Sequence, residues 1–459
     1  MPEKYHIHAE PAEPRYQPVF KLSSTERDLC LGCTDCAKRN CIYDVYKKRA
    51  FLPSELVDSS GSFCKSCMRC VQECKNNILT KLLNPEYTQI GNSYWTPAIL
   101  TSLWQQAHAG KIPVSGAGYD GPFSGTGFDD MWTDMSEIVR PTRDGIHGRE
   151  YISTAIDIGT KLDRLHFNGQ ELADNLPPMF SLPLPIIFDV PRQAGAWKGV
   201  KQAVQEAARE IQTLAFCDDR GVTGSHIIPR YGINEKIDPD SSSKMIEIFL
   251  ESCEGLLIDK AEKLAGEISK NRPGLVICIG LPISKNTART VVKLAKNKIG
   301  TFHLYANHSG KGTGSDSDYF IKEIVRETHR ALLAESIRDC VTILAGGGIA
   351  MAEHVAKLIA CGADGVVVDN ALLVALECRM CLECLEEEPC HVHIDAIDPQ
   401  WGTKRIVNLL ASWHSQLIEV MGAMGLREVR RLRGETGRVM FFRDLEEECY
   451  APIFGKRVW

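Results

Sequence analysis

Twelve of the chain's 18 cysteines fall into three short runs. Cys30, Cys33, Cys36 and Cys41 follow C-x2-C-x2-C-x4-C; Cys64, Cys67, Cys70 and Cys74 follow C-x2-C-x2-C-x3-C. Cys378, Cys381 and Cys384 repeat the same step before Cys390. Two residues between cysteines let one loop aim successive thiolates at one metal core, and in two-cluster ferredoxins the fourth cysteine crosses to the other cluster. The first two runs therefore predict two [4Fe–4S] clusters, one on Cys30, Cys33, Cys36 and Cys74 and one on Cys64, Cys67, Cys70 and Cys41. The proline that usually follows each fourth cysteine is missing, with Ile42 and Lys75 in its place. Paired zinc knuckles are the alternative, but a tetrahedral zinc site does not need three cysteines from one loop. The third run has the spacing of a cluster as well; a zinc site, or cysteines packed without metal, is the other reading. The scattered Cys217, Cys253, Cys278, Cys340, Cys361 and Cys449 read as small buried hydrophobes.

Elements that would position these runs can be read along the chain. Residues 1–25 form a Pro-rich arm, and 26–80 a small ferredoxin-like α+β segment that metal must staple. Residues 81–180 give mixed signals, and 401–459 a helical extension led by the amphipathic "RIVNLLASWHSQLIEVMGAMG". Between them, 181–400 alternates apolar strands with amphipathic helices. "IIFDV" is followed by "LVICIGL", "GTFHLYANHSG", "CVTILAGGG" and "DGVVVD", the last four each preceding a helical pattern. Continuous apolar strands alternating with helices mark a parallel sheet. Four such units in a row favour a (β/α)8 barrel, here short enough to be trimmed.

Net charge is −6 with 24% charged residues, which gives no electrostatic reason for a nucleic-acid partner. The N-terminal stretch has no apolar signal core, and no apolar run reaches the roughly 18 residues of a membrane span, so a cytoplasmic location is expected.

In a parallel barrel, chemistry sits on the loops that follow the strands. "HSGKGTGS" (308–315) and "AGGGIA" (345–350) lie on consecutive units. Small residues there would let backbone amides approach a phosphate or a flavin, although glycine-rich loops also arise for steric reasons.

"SEIVRPTRDGIHGREYISTAIDIG", "HSGKGTGS", "ETHRALL", "AGGGI", "NALLVALECRMCLEC" and "DPQWGTKRIVNLL" occur in this order. Their order and wording resemble the FMN domain of glutamate synthase, above all the archaeal-type large subunit with a ferredoxin segment ahead of the barrel. The resemblance covers about 30 to 430. It implies FMN held at Gly310, Gly312, Thr313, Gly314, Gly346, Gly347, Gly348 and Asn370. It also implies a third cluster near the flavin, [4Fe–4S] or, as in members with three cysteines, [3Fe–4S]. The activity it implies is reduction of the imine of 2-oxoglutarate and ammonia.

The chain departs from that family in several places. The flavin-contacting lysine would fall at Cys278 or Ile279, and neither residue favours negative charge on reduced flavin. Asp369 and Asn370 replace a Gly-Thr pair, and a carboxylate beside a phosphate is unfavourable. "DDRGVTGSHIIPRYG" replaces a "GEGG"-type loop. The segment bearing substrate residues is missing between Tyr231 and Leu275, and so is an N-terminal glutaminase. These losses bear on amino-acid chemistry more than on electron transfer.

The expected function is therefore an iron–sulfur flavoprotein oxidoreductase within a larger complex. Its partners would be other redox subunits, a ferredoxin, or an NAD(P)H-oxidising flavoprotein. A genuine glutamate synthase large subunit and a flavin-free cluster scaffold are the alternatives. Weaker candidates remain. Arg140, Arg143, His147 and Arg149 would neutralise a phosphate or form a solvated segment. His391 and His393 are potential ligands or packing residues. "ETHR" (327–330) reads as a surface salt bridge, and the glutamates of "LEEEP" either face the cluster or are solvated.

Overall fold

The computed structural model describes residues 5–16, 19, 21–25, 41, 67–75, 77, 80–112, 125–133, 151–162, 164–165, 167–172, 176–191, 197–237, 242–386, 388–434 and 439–455. Eight strands, all parallel and in sequential order, close into a barrel. They are β1 (Ile186–Phe188), β2 (Ala215–Cys217), β3 (Ile227–Gly232), β4 (Met245–Phe249), β5 (Val276–Pro282), β6 (Thr301–Tyr305), β7 (Thr342–Gly346) and β8 (Gly365–Val368). The (β/α)8 expectation holds. The trimming holds too, because among the described residues no helix follows β2 or β3. β8 closes on β1 through Val366↔Ile186, Val367↔Ile187 and Val368↔Phe188.

Two helices outside the repeating units brace the barrel wall: α1 (Pro97–Ala109) and α8 (Pro399–Ala423). Between them along the chain lie α2 (Lys198–Glu210), α3 (Gly255–Asn271), α4 (Thr287–Lys296), α5 (Ile321–Ala334), α6 (Ala352–Cys361) and the short α7 (Asn370–Ala375). α8 starts where the sequence dictates. The Asp398 side chain accepts the Trp401 amide at 2.9 Å and Pro399 fills the first helical position. α8 then buries Ile406, Leu409, Leu410, Trp413 and Leu417 in the same core as the strands. A polar seam along it grips the N-terminal arm and α1. Asn408 exchanges bonds with Glu10 and donates to Ala107 O, while Ser412 donates to Gln106. The Pro-rich arm is thus an extended strap. It passes so close to the end of α1 that a Cβ on Gly110 would lie 2.2 Å from Ala9 Cβ.

A hairpin of Ile156–Gly159 with Met179–Leu182 covers the N-terminal end of the barrel. Gly159 exchanges hydrogen bonds with Thr342 Oγ1, at the start of β7. The opposite, C-terminal mouth is left for the loops. Leu22–Thr25 pairs antiparallel with Thr80–Leu83, so both ends of 26–79 meet. Most of the proposed ferredoxin-like segment lies outside the described residues. None of the described helices is long and apolar enough to cross a membrane.

Candidate functional site

Polar side chains from three strands and from the end of a fourth meet inside the barrel, where only lumen-facing residues can touch across intervening strands. Arg230 on β3 lies between two carboxylates. Its Nη1 and Nη2 donate to Asp189, just after β1, at 3.2 and 2.7 Å, and its Nε donates to Glu247 on β4. The other Glu247 oxygen bonds Nδ1 of His303, on β6, at 2.6 Å. Gly280 of β5 lies between them, and a Cβ there would stand 2.7 Å from Glu247 Oε1. Phe216 stacks on His303 with centroids 5.0 Å apart, and Arg230 lies 4.8 Å over the same Phe216 ring.

This network sets charge states. Burial alone would raise the Glu247 carboxyl, but Arg230 and then His303 outweigh it and hold it at about 2. Burial would lower Arg230, yet Asp189 and Glu247 push it well above its usual value. Asp369, just after β8, is paired with no guanidinium or ammonium among the described residues. Burial, with Asp189 adding to it, raises Asp369 to about 7 against bonds from Asn370. Cys278 is buried on β5, where burial and then Glu247 push its thiol up. It contributes no cation, as the sequence implied. The positive charge in this lumen comes instead from Arg230, which the sequence reading did not single out.

The predicted glycine loops both sit at the C-terminal mouth, with differing outcomes. In 308–315 the amides of Ser309 and Lys311 are taken by Asn307 Oδ1, Gly310 by Asn307 O and Gly312 by Tyr319 O. Those four amides are hydrogen-bonded within the loop itself. The physical reason is the side chain of Asn307, which organises the loop from within. Thr313 and Gly314 lead a short turn at 314–316. Gly346 ends β7, while Gly347 and Gly348 have φ of +101° and +69°. A Cβ on Gly348 would stand 2.4 Å from Gly310 N, so the two loops pack on each other. Asn370 is held by the residue before it. Its amide and Nδ2 both donate to Asp369, at 2.6 and 3.0 Å, capping the short α7.

A segment missed in the sequence joins this mouth to the third cysteine run. Tyr94 donates its hydroxyl to Gly348 O, and Trp95 Nε1 donates to His308 O at 2.8 Å. Gly91 N donates to Arg379 O at 2.9 Å and Asn92 Nδ2 to Met380 O. Arg379 also pairs with Glu86. Residues 86–95 therefore touch the cysteine loop at one end and both glycine loops at the other.

Cys378, Cys381, Cys384 and Cys390 lie within electrostatic reach of one another. Burial, then the charges of Cys390, Cys381 and Cys384, push Cys378 up to about 12 against a bond from Met380 N at 3.4 Å. Among the described residues, no three His, Cys, Asp or Glu side chains converge closely enough to hold a single metal ion. The loop folds through positive φ at Glu377, Met380 and Leu382. His391 pairs with Glu383 at 2.6 Å in solvent, and His393 offers its backbone carbonyl to Arg15.

Arg15 clamps this loop from the arm. Its backbone N and Nε bond Glu377, and its guanidinium donates to the carbonyls of Leu376, Val392 and His393. Buried Arg405 reinforces the joint through Ala375 O and Ala12 O. Arg15→Ala is expected to leave the barrel folded while speeding amide exchange across 376–393, at a cost of about 1–3 kcal/mol. Exchange mass spectrometry reads this peptide by peptide, and protection equal to wild type in 376–393 would contradict the clamp.

Of the first two runs, Cys41, Cys67, Cys70 and Cys74 are described, with Cys70 buried in a one-turn helix at Arg69–Gln72. Cys30, Cys33, Cys36 and Cys64 lie outside the described residues, as do Arg140, Arg143, His147 and Arg149. "ETHR" is no surface salt bridge. His329 accepts Arg338 Nε at 3.0 Å, and Thr328 is buried and bonds Ile324 O. The scattered cysteines are buried at 217, 278 and 361, partly buried at 253 and 340, and exposed at 449.

Comparison with known proteins completes the description. A family profile described as a conserved region in glutamate synthase matches residues 312–427. An archaeal-type glutamate synthase [NADPH] of Dehalococcoides mccartyi is 24% identical over 476 residues, covering 89% of this chain and 92% of that protein. An archaeal glutamate synthase [NADPH] of Archaeoglobus fulgidus is also 24% identical, over 485 residues, 91% of this chain and 93% of that one. A solved structure of a mandelate oxidase variant with 2-hydroxy-phenylacetamide is 14% identical, at a TM-score of 0.40 over 73% of this chain and 96% of that one.

Proposed function

We propose that this chain is a diverged relative of the archaeal-type glutamate synthases it resembles, and that it is an FMN- and iron–sulfur-dependent oxidoreductase relaying electrons within a larger redox complex. The observation that carries this reading is the bridge through 86–95 from the Cys378–Cys390 loop to the mouth loops at Gly348 and His308. Such a bridge makes sense if the cysteines and the mouth each hold a redox group and must keep a fixed separation.

The residues fit FMN in part. The chain turn at Gly346–Gly348 and the unpartnered, buried His303 Nε2 favour a ligand, while the internally bonded amides at 309–312 and the carboxyl of Asp369 offer little to a phosphate. FMN, when bound, exchanges two electrons with a donor and passes them singly to clusters. This chain's part is to keep Arg230 as the lumenal cation and to exclude water with Phe216, Phe249 and Tyr305. It also holds the cysteine loop in register through Arg15. The three-residue step of Cys378, Cys381 and Cys384 suits a cluster, in which each cysteine would meet its own iron. The two N-terminal clusters rest on their cysteine spacing.

Anaerobically purified protein should contain about one flavin and about twelve irons per chain, taking three cubane clusters. Iron without flavin would reject the flavoprotein in favour of a cluster scaffold. The genuine synthase is a second reading, favoured by the names of the relatives. It requires 2-oxoglutarate-dependent oxidation of reduced ferredoxin or NAD(P)H once partner subunits are supplied.

A further inference from the structure

The hairpin over the N-terminal end of the barrel carries an excursion, residues 160–178, that leaves at Gly159 and returns at Met179, its antiparallel partner. The foot of the excursion is fixed, since Asp157 accepts from Ser181 at 2.7 Å and from Arg430 at 2.9 Å. Beyond the foot the chain folds into a short ribbon, Phe167–Asn168 against Glu171–Leu172. Its side chains are the reverse of what a turn in water calls for. Leu165, Phe167, Leu176 and Met179 are each more than half exposed, and Leu162 and Leu172 are each 37% exposed. Phe167 and Leu172 stand directly opposite each other, so both leave the same face of the ribbon. At the tip, a Cβ on Gly169 would meet nothing within 4 Å. A ribbon of two two-residue strands has little stability of its own in water and gains it by packing an apolar face. Large apolar side chains gathered in this way mark an interaction surface.

We propose that this face docks a second copy of the chain about a two-fold axis. Area argues for that occupant. The six side chains expose roughly 500 Å² between them, and a two-fold axis uses the same patch twice. Roughly 1,000 Å² of apolar surface is then covered before any polar rim is counted, which meets what a stable interface needs. The partner must therefore bring an apolar patch of equal size, and a copy of the same chain does so by construction. Position agrees with area. The excursion stands at the N-terminal end of the barrel, where Gly159 bonds Thr342 at the start of β7, and the glycine loops lie at the opposite end. A partner acting at the mouth has to sit at that opposite end, whereas a docked copy leaves it open. The pairing needs no cofactor, so it stands apart from the flavin and cluster readings.

The test is sedimentation equilibrium of the full chain from about 0.1 to about 50 μM. Wild type is expected at twice the 51.0 kDa of one chain, dissociating at about 1 μM or below. Phe167→Ser combined with Leu176→Ser should weaken the dimer about hundredfold. Both side chains face solvent in the single chain, so the melting midpoint of the dilute, dissociated protein should not move. Leu165→Ser combined with Met179→Ser draws a second pair from the same face and should act alike. Ile453→Ser with Phe454→Ser, at the exposed apolar turn of the C-terminal segment, should leave the dimer intact. A wild-type chain that stays monomeric at the highest concentration overturns the proposal. So does a dimer as tight in both excursion variants as in wild type, or one broken only by the changes at 453 and 454.

Discussion

If the proposed three clusters are present, protein carrying Cys384→Ser, purified anaerobically, is expected to lose about four of about twelve irons and the electronic signature of one cluster, keeping the other two. Each cysteine of a cubane anchors a separate iron, and serine is a poor substitute for thiolate at such a corner. Cys384 is the informative choice among the four. Cys378 is partly buried and packs against the barrel core and beside Met380, so its loss also opens a small void. Cys384, also partly buried, is not among the residues packed on that core, so its replacement changes ligation with little packing penalty. Iron content and low-temperature electron paramagnetic resonance report the outcome. Full iron retention in Cys384→Ser, together with an unchanged spectrum, would refute a cluster at this loop. Cys449 is the matched control, exposed and remote in sequence from every run.

The second large effect is on stability. Glu247→Ala should destabilise the fold by about 3–5 kcal/mol, because it strands a guanidinium and an imidazole in the lumen. Glu247→Gln should cost less, since an amide oxygen still accepts from one of the two. The pH dependence has a definite sign. Glu247 sits at about 2, below its usual 4.5. Its stabilisation is complete above the unfolded value and is lost as pH falls toward about 2, for a total of about 3 kcal/mol. Denaturant unfolding from pH 6 down to about 3 measures this directly. Wild type should weaken more steeply across that window than Glu247→Gln, and parallel curves would show that the carboxylate is not held ionised.

These residues explain what the sequence does and does not reveal. β5 to β8 and their helices are legible because long apolar runs such as "LVICIGL" and "DGVVVD" are bounded by helical periodicity. β1 and β2 have only three residues each, too few for a period to register. Arg230 in "IIPRYG" and Glu247 in "MIEIF" read locally as charges that interrupt a strand. Their meaning lies in partners 17 to 56 positions away along the chain. The cysteine loop is legible by spacing alone, but its connection to the mouth through Gly91, Tyr94 and Trp95 is not. Those contacts are mostly with backbone carbonyls, which carry no sequence identity. The partners of the amides in 308–315 are hidden in the sequence for a related reason. Asn307, one position before the quoted stretch, takes the amides that the glycines were expected to offer.

The pairing of Leu22 with Leu83 and of Thr25 with Thr80 has one more consequence. Thr25 and Thr80, the residues that flank 26–79, stand opposite each other on neighbouring strands. The separation that this insertion must close is therefore one ladder spacing, about 5 Å, fixed by backbone pairing and independent of the insertion's own length.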